Sequence, residues 1–146
     1  MKQQSIWLKL LQATDIIREL HHREDKEQRA PLQTTIAEAK IMHYVLFNPN
    51  GCSVKEIAER LGTTRGAVSQ IIEKMVRKGP LIRVPDEKDR RSVRITLSPS
   101  GVERHEQISA SFERLMDRLL DGVPPEKIET FIEVLDHLIE AKNKIS

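Results

Sequence analysis

Apolar residues recur along most of this chain every three or four positions, and in one short stretch the pattern changes to alternation. Val54, Ile57, Ala58 and Leu61 fall at i, i+3, i+4 and i+7, as do Val68, Ile71, Ile72 and Met75. Each set lines one face of a helix. Ser53 with Glu56 three residues on forms a capping box for the first helix, and Gly62 ends it. Thr64 caps the second helix, which stops at Gly79-Pro80. Leu81, Ile82 and Val84 suit a strand, as do Val93, Ile95 and Leu97, which alternate with Arg94 and Thr96. Pro85 through Ser92 connect them with turn formers and charge. Two short helices, a tight turn and a hairpin predict a helix-turn-helix followed by a β-wing.

The flanks read as longer helices. Ile6, Leu10, Ala13, Ile17 and Leu20 make one stripe, with Trp7 and Leu11 beside it. Pro31 separates this helix from a second, around Thr35 to Phe47, that packs Ile41, Met42, Val45 and Leu46. Asn48-Pro49-Asn50-Gly51 is a turn signal. Beyond the wing, Ser100 to Leu120 aligns Ile108, Phe112, Leu115 and Leu119, and Pro124-Pro125 restarts the chain. The fold class expected is therefore mainly α with a small β-hairpin wing, flanked by N- and C-terminal helices.

The last helix carries Ile128, Phe131, Ile132, Leu135, Leu138 and Ile139, a wide apolar face. It either folds back on its own core or packs against a second copy. We expect a homodimer, with Ile6, Trp7 and Leu10 and those six residues at the interface.

The polar face of the second motif helix carries the chemistry. Arg65 and Gln70 are able to make paired hydrogen bonds to guanine and adenine edges, and Ser69 to bond a base or a phosphate. Gly66 and Ala67 allow close approach of the backbone, and the N-terminus at Thr64 presents N–H groups suited to phosphate. A solvated face with no partner is the competing reading of such a short pattern, and the wing weighs against it. Its tip bears Lys88, Arg90 and Arg91, with Arg83 and Arg94 on its strands; such side chains suit phosphates or a narrow minor groove. Asp89 is expected to pair with Arg91 and hold it in shape. Lys74, Ser53 and Lys55 are expected at phosphates. The formal net charge is only +2, but residues 53–94 hold 11 Lys and Arg against 6 Asp and Glu, and the remainder 13 against 16. Positive charge is concentrated where the motif sits, as an electrostatic footprint on nucleic acid requires.

At these residues the chain resembles the MarR (multiple antibiotic resistance regulator) family of bacterial winged-helix repressors. AERLGTTRGAVSQIIEKM matches the family's helix-turn-helix, and RVPDEKDRRSVRITLSPSG its wing, where Asp89-x-Arg91 is followed by Ile95-x-Leu97-Ser98 and Gly101. Pro80 departs from the Leu usual after the glycine. The resemblance spans nearly the whole chain. It implies one MarR-like domain over 1–146, with 1–30 and 101–146 as dimerisation helices and 31–100 as the winged helix-turn-helix. It also implies a small-molecule effector that binds between those parts and changes the spacing of the recognition helices. The expected function is sequence-specific binding of double-stranded DNA at a pseudo-palindromic operator, as a homodimeric transcriptional repressor released by an effector. A twofold dimer would meet half-sites about 34–36 Å apart. The alternative is a winged-helix protein-interaction module without specific DNA binding.

Other chemistry is not indicated. No nucleophile elbow or Gly-rich phosphate loop frames the Ser, His and Asp present, so no enzyme is expected. His21 and His22 are adjacent and point apart on a helix, His43 and His105 are isolated, and no Cys or His pair has zinc spacing, so neither metal nor cofactor is expected. Zinc-responsive relatives place a Glu-His pair in the second helix, where this chain has Glu38-Ala39. A helix N-terminus can lower a thiol pKa, yet thiol sensors of the family keep their reactive cysteine in the first helix, so no redox role is expected of Cys52. One cysteine, no run of about 18 apolar residues and no signal-peptide pattern predict a soluble cytoplasmic protein.

Overall fold

A computed structural model describes residues 5–27 and 33–145; Pro31, expected to separate the first two helices, lies outside them. Six helices and two strands follow in order: α1 (Ile6–Glu27), α2 (Ile36–Leu46), α3 (Val54–Leu61), α4 (Arg65–Lys78), β1 (Leu81–Pro85), β2 (Val93–Leu97), α5 (Pro99–Leu119) and α6 (Pro125–Ile145). The chain forms two compact units, Met1–Glu113 and Arg114–Ser146.

The helix boundaries are set by the residues that the sequence proposes for them. Ser53 accepts the Glu56 N–H and Glu56 accepts the Ser53 N–H, a complete capping box. Gly62 caps α3 in the left-handed conformation, at φ 69°, and Thr64 accepts the Ala67 N–H to start α4. These bonds satisfy backbone donors that a helix end otherwise leaves unpaired. Thr35 does the same for α2 through the Glu38 N–H.

The core of the first unit draws on every element that surrounds the motif. Ile41, Met42 and Val45 of α2 meet Ile57 and Ala58 of α3, Val68, Ile72 and Met75 of α4, Leu81 of β1, Ile95 of β2 and Ile108 of α5. The stripes of α3 and α4 thus face inward, which turns their polar faces out. The wing is an antiparallel pair with Leu81 opposite Leu97, Arg83 opposite Ile95 and Val84 opposite Arg94. Cys52 bridges to Ile95 and extends the pairing by one residue.

Helix α1 buries only His21 and Asp25 among its described residues. Ile6 and Trp7 are exposed and Leu10 is half-buried. In the second unit, α6 buries no described residue. Phe131, Ile132, Leu138 and Ile139 are exposed, and Ile128 and Leu135 half-buried. No described helix is long and apolar enough to cross a membrane.

Candidate nucleic-acid interface

Burial of Val68, Ile72 and Met75 fixes the rotation of α4 and leaves Arg65, Gly66, Ala67, Ser69 and Gln70 exposed together on its outer side. Beyond its chain neighbours and its own helix backbone, no described atom lies within 4 Å of where a Cβ on Gly66 would sit, so the first turn is open at that point. Lys74 is half-buried, with Nζ 3.3 Å from Oε1 of Glu38 on α2. Its charge is tethered as well as outward. At the start of α3, the Ser53 oxygen is engaged as the cap, and its hydroxyl proton is left to donate outward; Lys55 is exposed.

The wing tip is organised by aspartates acting on backbone. The Asp89 carboxylate accepts the Arg91 N–H at 3.0 Å and the Ser92 hydroxyl at 3.2 Å, and its carbonyl accepts the Ser92 N–H at 2.9 Å. Asp86 accepts the Lys88 N–H at 2.9 Å. Asp89 therefore shapes the turn around Arg91 through the main chain; no ion pair joins the two side chains among the described residues. The consequence is that the Lys88, Arg90 and Arg91 side chains all stay exposed, on a turn whose shape costs them no donor.

Arg94 is different. Its Nε donates to the Asn50 carbonyl at 3.2 Å, Nη2 to the Gly51 carbonyl at 2.6 Å and Nη1 to Glu56 Oε1 at 3.1 Å. The sequence groups it with the wing cations, but its guanidinium is committed inside the protein. Strand alternation shows which face a residue takes; it does not show which carbonyls of a distant turn lie under that face.

The histidines also fall otherwise than expected, and the cysteine lies in the core. His43 and His105 are not isolated, because α2 and α5 bring their rings to 5.8 Å. Burial and the neighbouring His43 hold His105 below the usual imidazole range. His21 is buried, stacks on Phe112 at 3.8 Å and leaves Nε2 without a hydrogen-bond partner among the described residues. Burial raises the Cys52 thiol pKa instead of lowering it, since the side chain sits in the core with its Sγ donating to the Tyr44 carbonyl at 3.7 Å. Among the described residues no group of three metal-ligating side chains converges.

Three cavities of the first unit are large enough for a small molecule: one of about 540 Å³ lies beside the wing, lined by residues including Asn50, Val84, Lys88 and Arg94, and two lie among the helices. One, of about 480 Å³, is lined by residues including Arg18, His21, His22, Asp25 and Thr35. The other, of about 290 Å³, lies between α2 and α5, lined by residues including His43, Tyr44, His105 and Phe112.

A family model described as the MarR family matches residues 32–92. The HTH-type transcriptional regulator BilQ of Clostridium symbiosum is 24% identical over 116 residues, 78% of this chain and 81% of the relative. Among solved structures, Streptococcus pneumoniae FabT in complex with DNA superposes with a TM-score of 0.75 at 20% identity, covering 97% of each chain. CouR from Rhodococcus jostii RHA1, bound to p-coumaroyl-CoA, gives a TM-score of 0.74 at 14% identity over 92% of each chain. The matched segment contains both motif helices and the first strand of the wing, the structural likeness extends the fold to nearly the whole chain, and the chain is thus similar to MarR family transcriptional regulators in its motif and in its fold.

Proposed function

We propose that the chain is a homodimeric repressor that binds double-stranded DNA at a pseudo-palindromic operator and is released by a small-molecule effector. The observation that carries this reading is the outward face of α4, where Arg65, Ser69 and Gln70 are exposed together beside an exposed cationic wing. In this reading α4 enters the major groove. Arg65, Ser69 and Gln70 contact base edges, because paired donors and acceptors distinguish bases there. Thr64, Gly66 and Ala67 allow the backbone to come close, and Ser53, Lys55 and Lys74 meet phosphates. Lys88, Arg90 and Arg91 reach the adjacent minor groove, with Asp89 shaping their turn.

The exposed apolar residues at the start of α1 and along α6 support the dimer, with 1–30 and 101–146 as its helices and 31–100 as the DNA-binding part. The effector reading is supported by the cavities beside His21 and between α2 and α5, and by the ligand held by the structural relative CouR.

Selection of this protein's binding sites from a randomised duplex pool at two salt concentrations tests the reading. Enrichment of an inverted repeat, weakened by salt as counterion release requires, is the expected result. Absence of binding at low salt overturns it in favour of a protein-interaction module.

A further inference from the structure

The three bonds made by Arg94 converge on the joint between the wing and the helix-turn-helix. Its side chain is only 19% exposed. Glu56 accepts from Arg94 with Oε1 and from the Ser53 N–H with Oε2, at 3.3 Å. One carboxylate therefore ties the N-cap of α3 to the start of β2. Beside it, Cys52 and Ile95 exchange backbone bonds of 3.0 and 2.7 Å. Gly51, at φ 74°, lies so close that a Cβ would sit 2.6 Å from the Ile95 carbonyl oxygen, and no side chain fits there.

An isolated two-stranded hairpin is at best marginally stable and has no fixed exit angle. Three acceptors held in place, matched by a planar guanidinium with donors in a rigid fork, supply that angle. We propose that Arg94 is a positioning residue that contacts no phosphate: through Glu56 and the Asn50 and Gly51 carbonyls it fixes the wing so that Arg90 and Arg91 meet DNA in register with α4. This rests on the reading of the wing as a DNA contact.

The test is a titration of full-length variants by fluorescence anisotropy, across a salt series, on the duplex recovered by selection. Glu56→Gln is the most telling variant, since Gln preserves a capping box. Removing a negative charge near DNA should tighten binding on Coulomb grounds alone, whereas loss of the joint weakens it several-fold. Arg94→Lys keeps the charge and loses the fork, so binding should fall about tenfold, where a phosphate contact would tolerate lysine. In an Arg90→Ala/Arg91→Ala background, Arg94→Ala should cost nothing further. Tighter binding by Glu56→Gln, wild-type affinity for Arg94→Lys, or a further loss in that background with a salt slope lower by about one would each make Arg94 a direct contact and sink the proposal. If Arg90→Ala/Arg91→Ala leaves affinity unchanged, the wing reading itself falls and takes the positioning role with it. Should the Arg94 variants fail to fold, Glu56→Gln still decides by its sign.

Discussion

Helices α4 and α6 are both amphipathic, and they dispose of their apolar faces in opposite ways. Helix α4 buries Val68, Ile72 and Met75 within its own chain. Helix α6 buries no described residue and leaves Phe131, Ile132, Val134, Leu138 and Ile139 exposed. Helix α1 stands with α6 in this respect, because its buried positions are His21 and Asp25 while Ile6 and Trp7 face out. Large apolar side chains left exposed along one helix are what an interaction site presents. In the reading proposed above, the difference separates two tasks: α4 is anchored so that its polar face is free to read DNA, and the exposed apolar residues of the terminal helices are those a second copy would cover.

The same kind of change made in the two regions should therefore give different readouts. Ile72→Ala removes a fully buried side chain and should cost about 2–5 kcal/mol of folding stability. In urea denaturation its midpoint should fall equally at every protein concentration. Leu138→Asp, on the exposed face of α6, should leave the chain folded but shift sedimentation from dimer to monomer and weaken operator binding at least about a hundredfold, since each half-site must then bind alone. A monomer that keeps wild-type affinity would abolish the distinction.

The polar face of α4 sharpens the comparison further. Gln70→Ala should change sequence preference, losing about 1–3 kcal/mol of discrimination at one base position. Lys74→Ala should weaken all sequences alike and flatten the salt dependence. Competition binding in which Lys74→Ala proves the more sequence-selective would reverse these roles.

The smallest effect expected is on pH dependence, and it belongs to α1. Burial holds the His21 pKa below its ordinary range, against the opposing pull of Asp25. The unfolded chain therefore takes up the proton first. The stability tied to neutral His21 is fully present above the unfolded value of about 6.5 and is lost as pH falls through it toward the lower folded value. Replacing His21 by Phe keeps a ring against Phe112 and removes the titration, so the thermal midpoint of that variant should fall less between pH 7 and pH 5 than that of the wild type.

Much of this was legible in the residues because helix ends and strand alternation are local chemistry. Ser53, Glu56, Gly62 and Thr64 specify caps whose partners lie within a few residues, and the caps in turn set where α3 and α4 begin and where α3 ends. The contacts that were not legible join positions far apart in the chain. Arg94 reaches Asn50 and Gly51 more than forty residues earlier, and His43 meets His105 across two helices. Asp89 was legible as a shaping residue, but not as one that acts on backbone, because an Asp two residues before an Arg supports either geometry. His21 and Asp25 occupy buried positions of α1 that an apolar stripe assigns to other residues.

Cys52, the only cysteine of the chain, is buried at the root of the wing, with its backbone paired to Ile95 and its thiol pKa raised. A thiol reagent needs an exposed thiolate, so it reaches Cys52 only in the moments when that root comes apart. The labelling rate is thus a clock for local opening, built into the unmodified protein. Run with and without an operator duplex, it reports how much DNA slows the opening, and it does so from a buried position.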